Sequence, residues 1–224
     1  MKNIFKILIV VLVALLFIGC KEEENDNKEI TGDEASEFEK AIEKGKLNNF
    51  TYTLTTKMIA NNRPSNGSSD YFYATDKLFV SNNFNEFKSY LFSYKNKYYD
   101  YIGGTFEELS EEEFDKSLND NVFYNLNIKS FEKGDGVYNF IGSDEEKVNI
   151  IASVSDKNYA VEVSNFVCYI KVVNEEVTEF YVSWDSTFNE TATFSFEYKL
   201  EFRDYGKTVV EIPQSVLDKV NVSA

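Results

Sequence analysis

The chain has 224 residues, enough for one domain with a substantial core or two small ones. Its 38 Asp and Glu outweigh 23 Lys and Arg, for a net charge of −15, and its only arginines are Arg63 and Arg203. So acidic a surface repels phosphate and offers almost no bidentate donors, which excludes nucleic acid as a partner. With no histidine anywhere, Ser-His-Asp and Cys-His catalysis and histidine metal sites are excluded as well.

Lys2 and Lys6 precede an apolar run from Ile7 to Ile18, and Leu16-Phe17-Ile18-Gly19-Cys20 resembles a bacterial lipobox, with small Gly19 at the cleavage position. A spanning helix needs roughly 17 to 25 apolar residues. The run ends sooner than that, between Lys6 and the charged Lys21-Glu22-Glu23-Glu24, which favours a cleaved leader over a retained anchor. The expected organisation is a signal peptide over 1–19, a lipidated Cys20 with a disordered acidic tether over 20–30, and one antiparallel β domain over 31–224. The tether has too few apolar residues to order itself, and its reach as a coil is about 15 to 20 Å. The protein is thus expected on the extracytoplasmic face of a bacterial membrane, held through a diacylglycerol on Cys20 and a fatty acyl group such as palmitate.

Thr31 and Glu34 fit a capping box, and Ala35, Phe38, Ala41 and Ile42 fall at helical spacing with Gly45 as a stop. From Phe50 the period becomes two: Phe50, Tyr52, Leu54 and Met58 alternate with polar residues in the manner of a half-buried strand. Asn61 to Ser69, with Pro64 and Gly67, reads as a turn-rich connection to a strand over Tyr71 to Val80. Phe87 to Tyr94 and Lys97 to Ile102 form a hairpin across Lys95-Asn96, and Gly103-Gly104 ends the meander.

Ser110 to Glu113 is a second capping box, with Leu109 and Phe114 placed as a hydrophobic staple, and predicts a short helix to about Leu118. Phe131 and Val137 to Ile141 flank a small turn at Gly134-Asp135-Gly136. Ser143 to Glu146 caps a segment, Lys147 to Val154, whose pattern suits helix or strand and is read as helix. Phe166 to Val173 and Val177 to Trp184 make another hairpin, which places Cys168 in an apolar strand as a buried structural thiol. Phe194, Phe196, Tyr198, Leu200 and Phe202 then form the longest aromatic face in the chain, and Asp204-Tyr205-Gly206 turns into a last strand, Thr208 to Ile212, before the short segment Gln214 to Val220.

The sum is a mainly β (α+β) fold: a curved antiparallel sheet or half-barrel of about ten strands, with an N-terminal helix and a short helix across the concave face. The leader, the opening amphipathic helix, the meander beginning Asn48-Asn49-Phe50-Thr51-Tyr52 and the ending from Phe202-Arg203-Asp204-Tyr205-Gly206 to Ile212-Pro213 together resemble the LolA/LppX-like lipoproteins. That resemblance covers most of residues 31 to 213 and is one of layout. It implies a half-barrel whose concave apolar face holds lipid or acyl chains.

Aromatic residues make up 16% of the chain and are the main functional signal. One reading encloses a lipid or other apolar ligand with Phe180, Val182, Trp184, Phe194, Phe196, Tyr198, Leu200, Phe202, Tyr52 and Leu54. The other exposes Tyr90, Phe92, Tyr94, Tyr99 and Tyr101 on the outer face for a surface protein or glycan, because tyrosine offers area and a hydrogen bond at small entropic cost. No calcium-loop or phosphate-loop spacing occurs, and Glu111 to Glu113 and Asp144 to Glu146 read as helix N-termini. No metal, cofactor or catalytic residue is expected; a hydrolase here would have to rest on carboxylates or a lysine base.

Overall fold

The computed structural model describes residues 33–60, 62–82, 88–119, 121–188 and 192–222. The leader, Cys20, the tether, the Thr31–Glu34 cap, the Ala35 side chain and Phe87 lie outside them.

Helix α1 spans Asp33–Lys46. There follow strands β1 (Phe50–Ala60), β2 (Arg63–Ala74), β3 (Lys77–Asn82), β4 (Lys88–Tyr94), β5 (Lys97–Ile102) and β6 (Thr105–Leu109), then helix α2 (Glu111–Leu118). Two 3-10 turns, Val122–Asn125 and Ile128–Ser130, lead to β7 (Phe131–Lys133), β8 (Tyr138–Phe140) and helix α3 (Asp144–Val154). A third 3-10 turn, Lys157–Tyr159, precedes β9 (Ser164–Val173), β10 (Glu176–Phe188), β11 (Ala192–Arg203) and helix α4 (Gln214–Val222).

The strands form one open, curved antiparallel sheet in the order β6-β5-β4-β3-β2-β1-β11-β10-β9-β8-β7. It consists of two meanders, β1 to β6 and β7 to β11, joined where the first strand pairs with the last from Thr51↔Arg203 to Ala60↔Phe194. Three of the tight turns, Lys95-Asn96, Gly103-Gly104 and Asn174-Glu175, have positive φ at both central residues. That conformation matches the right-handed twist of the strands it joins.

Four sequence expectations need correction. Arg63 to Ser69 is strand, not turn, so Tyr71 to Val80 divides into β2 and β3 around Thr75-Asp76. Pro64 is tolerated because, among the described residues, β3 pairs with β2 only from Ser69 onward, so no bond of that ladder calls for the proline's missing N–H. Gly103-Gly104 does not end the meander but turns it into β6. Thr208 to Ile212 is not a strand: β1 and β11 already have partners on both sides, and the segment is held instead by bonds such as Thr208 N to Asn49 Oδ1 at 3.0 Å. Gly45 is no stop. It lies inside α1 with its Cα against the Phe123 ring, and Asn48 at φ 50° takes the left-handed position beyond the helix end.

Of the three predicted capping boxes, the two within the described residues, at Ser110 and Ser143, are formed. Lys147 to Val154 is helical, burying Ile150 and Ile151 and leaving Val148 exposed.

Helices lie on both sides of the sheet. On the concave side α1 lays Phe38, Ala41 and Ile42 over the β7–β10 half, with Phe38 stacked on Tyr138 at 4.2 Å between ring centres. Phe123 fills the centre, edge-on to Phe50 at 5.4 Å and tilted on Phe202 at 5.0 Å. Phe114 of α2 meets Tyr98 of β5 at 4.7 Å. On the convex side α4 inserts Val216 and Val220 among Tyr90, Phe92 and Tyr99.

Candidate ligand site

All ten residues expected to line a hollow face the concave side, as the ladder requires: Tyr52 pairs with Phe202, Leu54 with Leu200, Val182 with Tyr198 and Trp184 with Phe196. They do not line one continuous hollow. Phe180, Val182, Trp184, Phe196 and Phe202 are buried in the core beneath the covering elements, while Phe194 and Tyr198 are half-buried. Trp184 is sealed in, stacked on Phe196 at 4.9 Å and on Tyr198 at 5.4 Å, and its Nε1 donates to Tyr159 O at 3.0 Å.

Away from α1 the face is less completely filled. Between β1, β2, β3 and β11 below and α2, the Val122–Asn125 turn and α3 above lies a chamber of about 310 Å³. Of the expected ten, only Tyr52, Leu54 and Leu200 reach it. Tyr71, Tyr73, Leu78, Val122 and Val154 supply the rest of its apolar wall, and Ser117, Asn121 and Ser153 its remaining polar groups. Tyr71 and Tyr73 could have been found from the register, since each aromatic on β1 faces one on β2: Tyr52 pairs with Tyr71, with ring centres 4.4 Å apart, and Phe50 with Tyr73 at 5.0 Å. The helical contributions carry no comparable signal, because serine and valine at a helix end are common.

Burial raises the pKa of the Tyr71 phenol, so the chamber holds it as a neutral hydroxyl. Asn121 is already committed: its Oδ1 accepts from Phe123 N at 2.9 Å and its Nδ2 donates to Asn48 Oδ1 at 2.6 Å. Ser153 Oγ donates to Ile150 O at 2.7 Å. A second hollow, about 220 Å³, lies on the convex side among Lys57, Tyr181, Asp185 and Glu197, where charged side chains keep it wet.

The outer tyrosine face is not open. Tyr90, Phe92 and Tyr99 are 8%, 0% and 3% exposed beneath α4, and the Tyr101 hydroxyl accepts from Lys219 Nζ of that helix at 3.0 Å. Tyr94 and Tyr101 are half-buried at its margin. Cys168 is buried at 4% exposure, and desolvation pushes its thiol pKa far up, so it is held as a neutral thiol. Among the described residues no group of three or more His, Cys, Asp or Glu could hold a metal ion, and no helix is long and apolar enough to cross a membrane.

The architecture is therefore that of a curved antiparallel sheet with its concave face roofed by helices. Among solved structures the chain is similar to the LolA superfamily protein NE2245 from Nitrosomonas europaea, at 8% identity and a TM-score of 0.29 over 81% of this chain and 95% of that one. It is also similar to a DUF1329 family protein from Desulfovibrio piger, at 7% identity and a TM-score of 0.30 over 83% and 97%. No family model and no curated protein matches the sequence.

Proposed function

We propose that the protein is a lipid-anchored binding protein, without catalytic activity, that holds an apolar ligand in the chamber under α2 and α3. The observation that carries this reading is the chamber itself. Beneath α1 and around Phe123 the concave face is packed with side chains, yet here about 310 Å³ lined by Leu54, Leu78, Val122, Val154, Leu200 and three tyrosines is left unfilled. At roughly 30 Å³ per water-sized group, that space accommodates about ten methylenes. Each contributes about 0.8 kcal/mol, so a decyl chain gains about 8 kcal/mol before the cost of association, which sets the expected affinity between micromolar and millimolar. Such an affinity suits a carrier that must also release its ligand. The run Leu16 to Cys20 supports the anchor, and it would keep the site within a tether's length of the membrane.

The test is mass spectrometry of the protein purified from a membrane-containing bacterial host, on both the intact chain and its organic extract. The intact mass should begin at a diacylated Cys20, and the extract should contain a stoichiometric apolar compound. Ser117 is exposed at the mouth of the chamber, so Ser117→Trp should fold normally and lose the compound. A chain that retains residues 1–19 would defeat the anchor. An empty extract, or a compound retained by Ser117→Trp, would defeat the site.

A further inference from the structure

The chamber's walls also bear on the head group of its ligand, given the ligand-binding reading above. Among the described residues no Lys, Arg, Asp or Glu lines the space. Its polar atoms are the hydroxyls of Ser117, Ser153 and the tyrosines, together with an Asn121 amide already bonded to Asn48 and Phe123. Ser117 belongs to the last turn of α2, which ends at Leu118, and Ser153 to the last turn of α3, which ends at Val154. Both helices therefore bring their C-terminal ends to the chamber. A helix C-terminus carries the equivalent of roughly half a negative charge, which repels an anion and favours a hydrogen-bond donor. The one basic residue in that last turn of α2, Lys116, is exposed to solvent and does not line the space. A net charge of −15 acts in the same direction at longer range.

The geometry points to an uncharged ligand, a medium-chain amphiphile whose head is a hydroxyl or amide rather than a carboxylate or phosphate. The tail lies against Leu54, Leu78 and Leu200, and the head sits at the mouth, where it donates to serine or last-turn carbonyl oxygens. A fatty acid anion of the same length fills the same space but places its charge against two helix C-termini, with no cation among the lining residues to meet it.

The experiment is titration calorimetry of the full chain in lipid nanodiscs with decanol and with decanoate at neutral pH, subtracting the heats of empty nanodiscs. Decanol should bind more tightly by about ten-fold or more, the factor that about 1.4 kcal/mol of adverse head-group field produces. Ser117→Lys adds a cation at an exposed position, and with an unchanged melting temperature it should narrow or invert that preference. Decanoate binding as tightly as decanol to the wild type overturns the inference and leaves the ligand site standing, as does a Ser117→Lys protein whose preference is unaltered. Binding of neither compound removes the ligand site, and the inference falls with it.

Discussion

Replacing Gly45 with alanine sets two effects of known size against each other. Gly45 sits within α1, where alanine is favoured over glycine by about 1 kcal/mol because it restricts the unfolded chain. A Cβ built there, however, lies 2.5 Å from Cδ2 and Cγ of Phe123. That ring cannot swing away, since it is 1% exposed and wedged against Phe50 and Phe202 at 5.4 and 5.0 Å. Forcing a methyl into such a site costs about 1 to 3 kcal/mol. The clash should outweigh the propensity gain, for a net loss of about 1 kcal/mol, or about 2 to 4 °C in melting temperature for a domain of this size. Made in a Phe123→Ala background, which itself leaves a cavity, the same substitution should cost nothing or stabilise, because alanine removes Cγ together with the ring and only the helix gain remains; the two changes should couple in a double-mutant cycle. Thermal and urea unfolding of the four proteins measures this. A Gly45→Ala protein that melts higher than the wild type would show that α1 does not press against the 3-10 turn as described.

Two further outcomes follow from the covering elements. Deleting the chain after Pro213 removes α4 and bares Tyr90, Phe92 and Tyr99; loss of buried Val216 and Val220 alone should cost about 3 to 6 kcal/mol, with a lower melting temperature and strong binding of a hydrophobic dye. Unchanged melting and no dye binding would mean that α4 is not the cover. Glu146 accepts from Ser130 Oγ, Ser143 N and Asn127 Nδ2, bonds that lower its pKa from 4.5 to about 2. Because the folded value is depressed, its contribution is complete above about pH 4.5 and is lost as the pH falls towards 2. Glu146→Gln should therefore melt lower than the wild type at neutral pH, with the gap closing across that acid window; a gap independent of pH would refute the assignment.

Local rules carried the sequence reading where local physics decides the outcome. The capping boxes at Ser110 and Ser143 and the turn at Lys95-Asn96 depend on side chains and φ values within a few residues, and they stand where their residues placed them. Alternation likewise put Tyr52, Leu54, Phe196 and Leu200 on one face. Failure came where composition and topology disagree. Arg63 to Ser69 has the residues of a turn, but β1 extends a long ladder alongside it, and pairing from Ala60↔Arg63 to Thr55↔Ser68 overrides the weak propensity of Pro64 and Gly67. Gly45 has the identity of a helix stop, but a tertiary contact with Phe123, far along the chain, is what excludes a side chain.

The outer tyrosines carry the same lesson into function. Alternation on β4 and β5 separates Tyr90, Phe92, Tyr99 and Tyr101 from Leu91 and Tyr98 on the opposite face, but a period of two cannot tell whether either face meets water. The answer lies in Val216 and Val220, spaced to share one side of a helix and set in a segment too short to announce what it covers. The concave face has the converse difficulty. Its ten expected residues were placed on the right side, yet whether an aromatic face is filled or hollow depends on which helices lie over it, and α1 and Phe123 fill most of it. What stays open is where α2 and α3 end in Ser117 and Ser153 instead of another Phe. The proposed ligand site is set by what the covering helices omit, and so its polar rim, not its aromatic floor, is where selectivity should be sought.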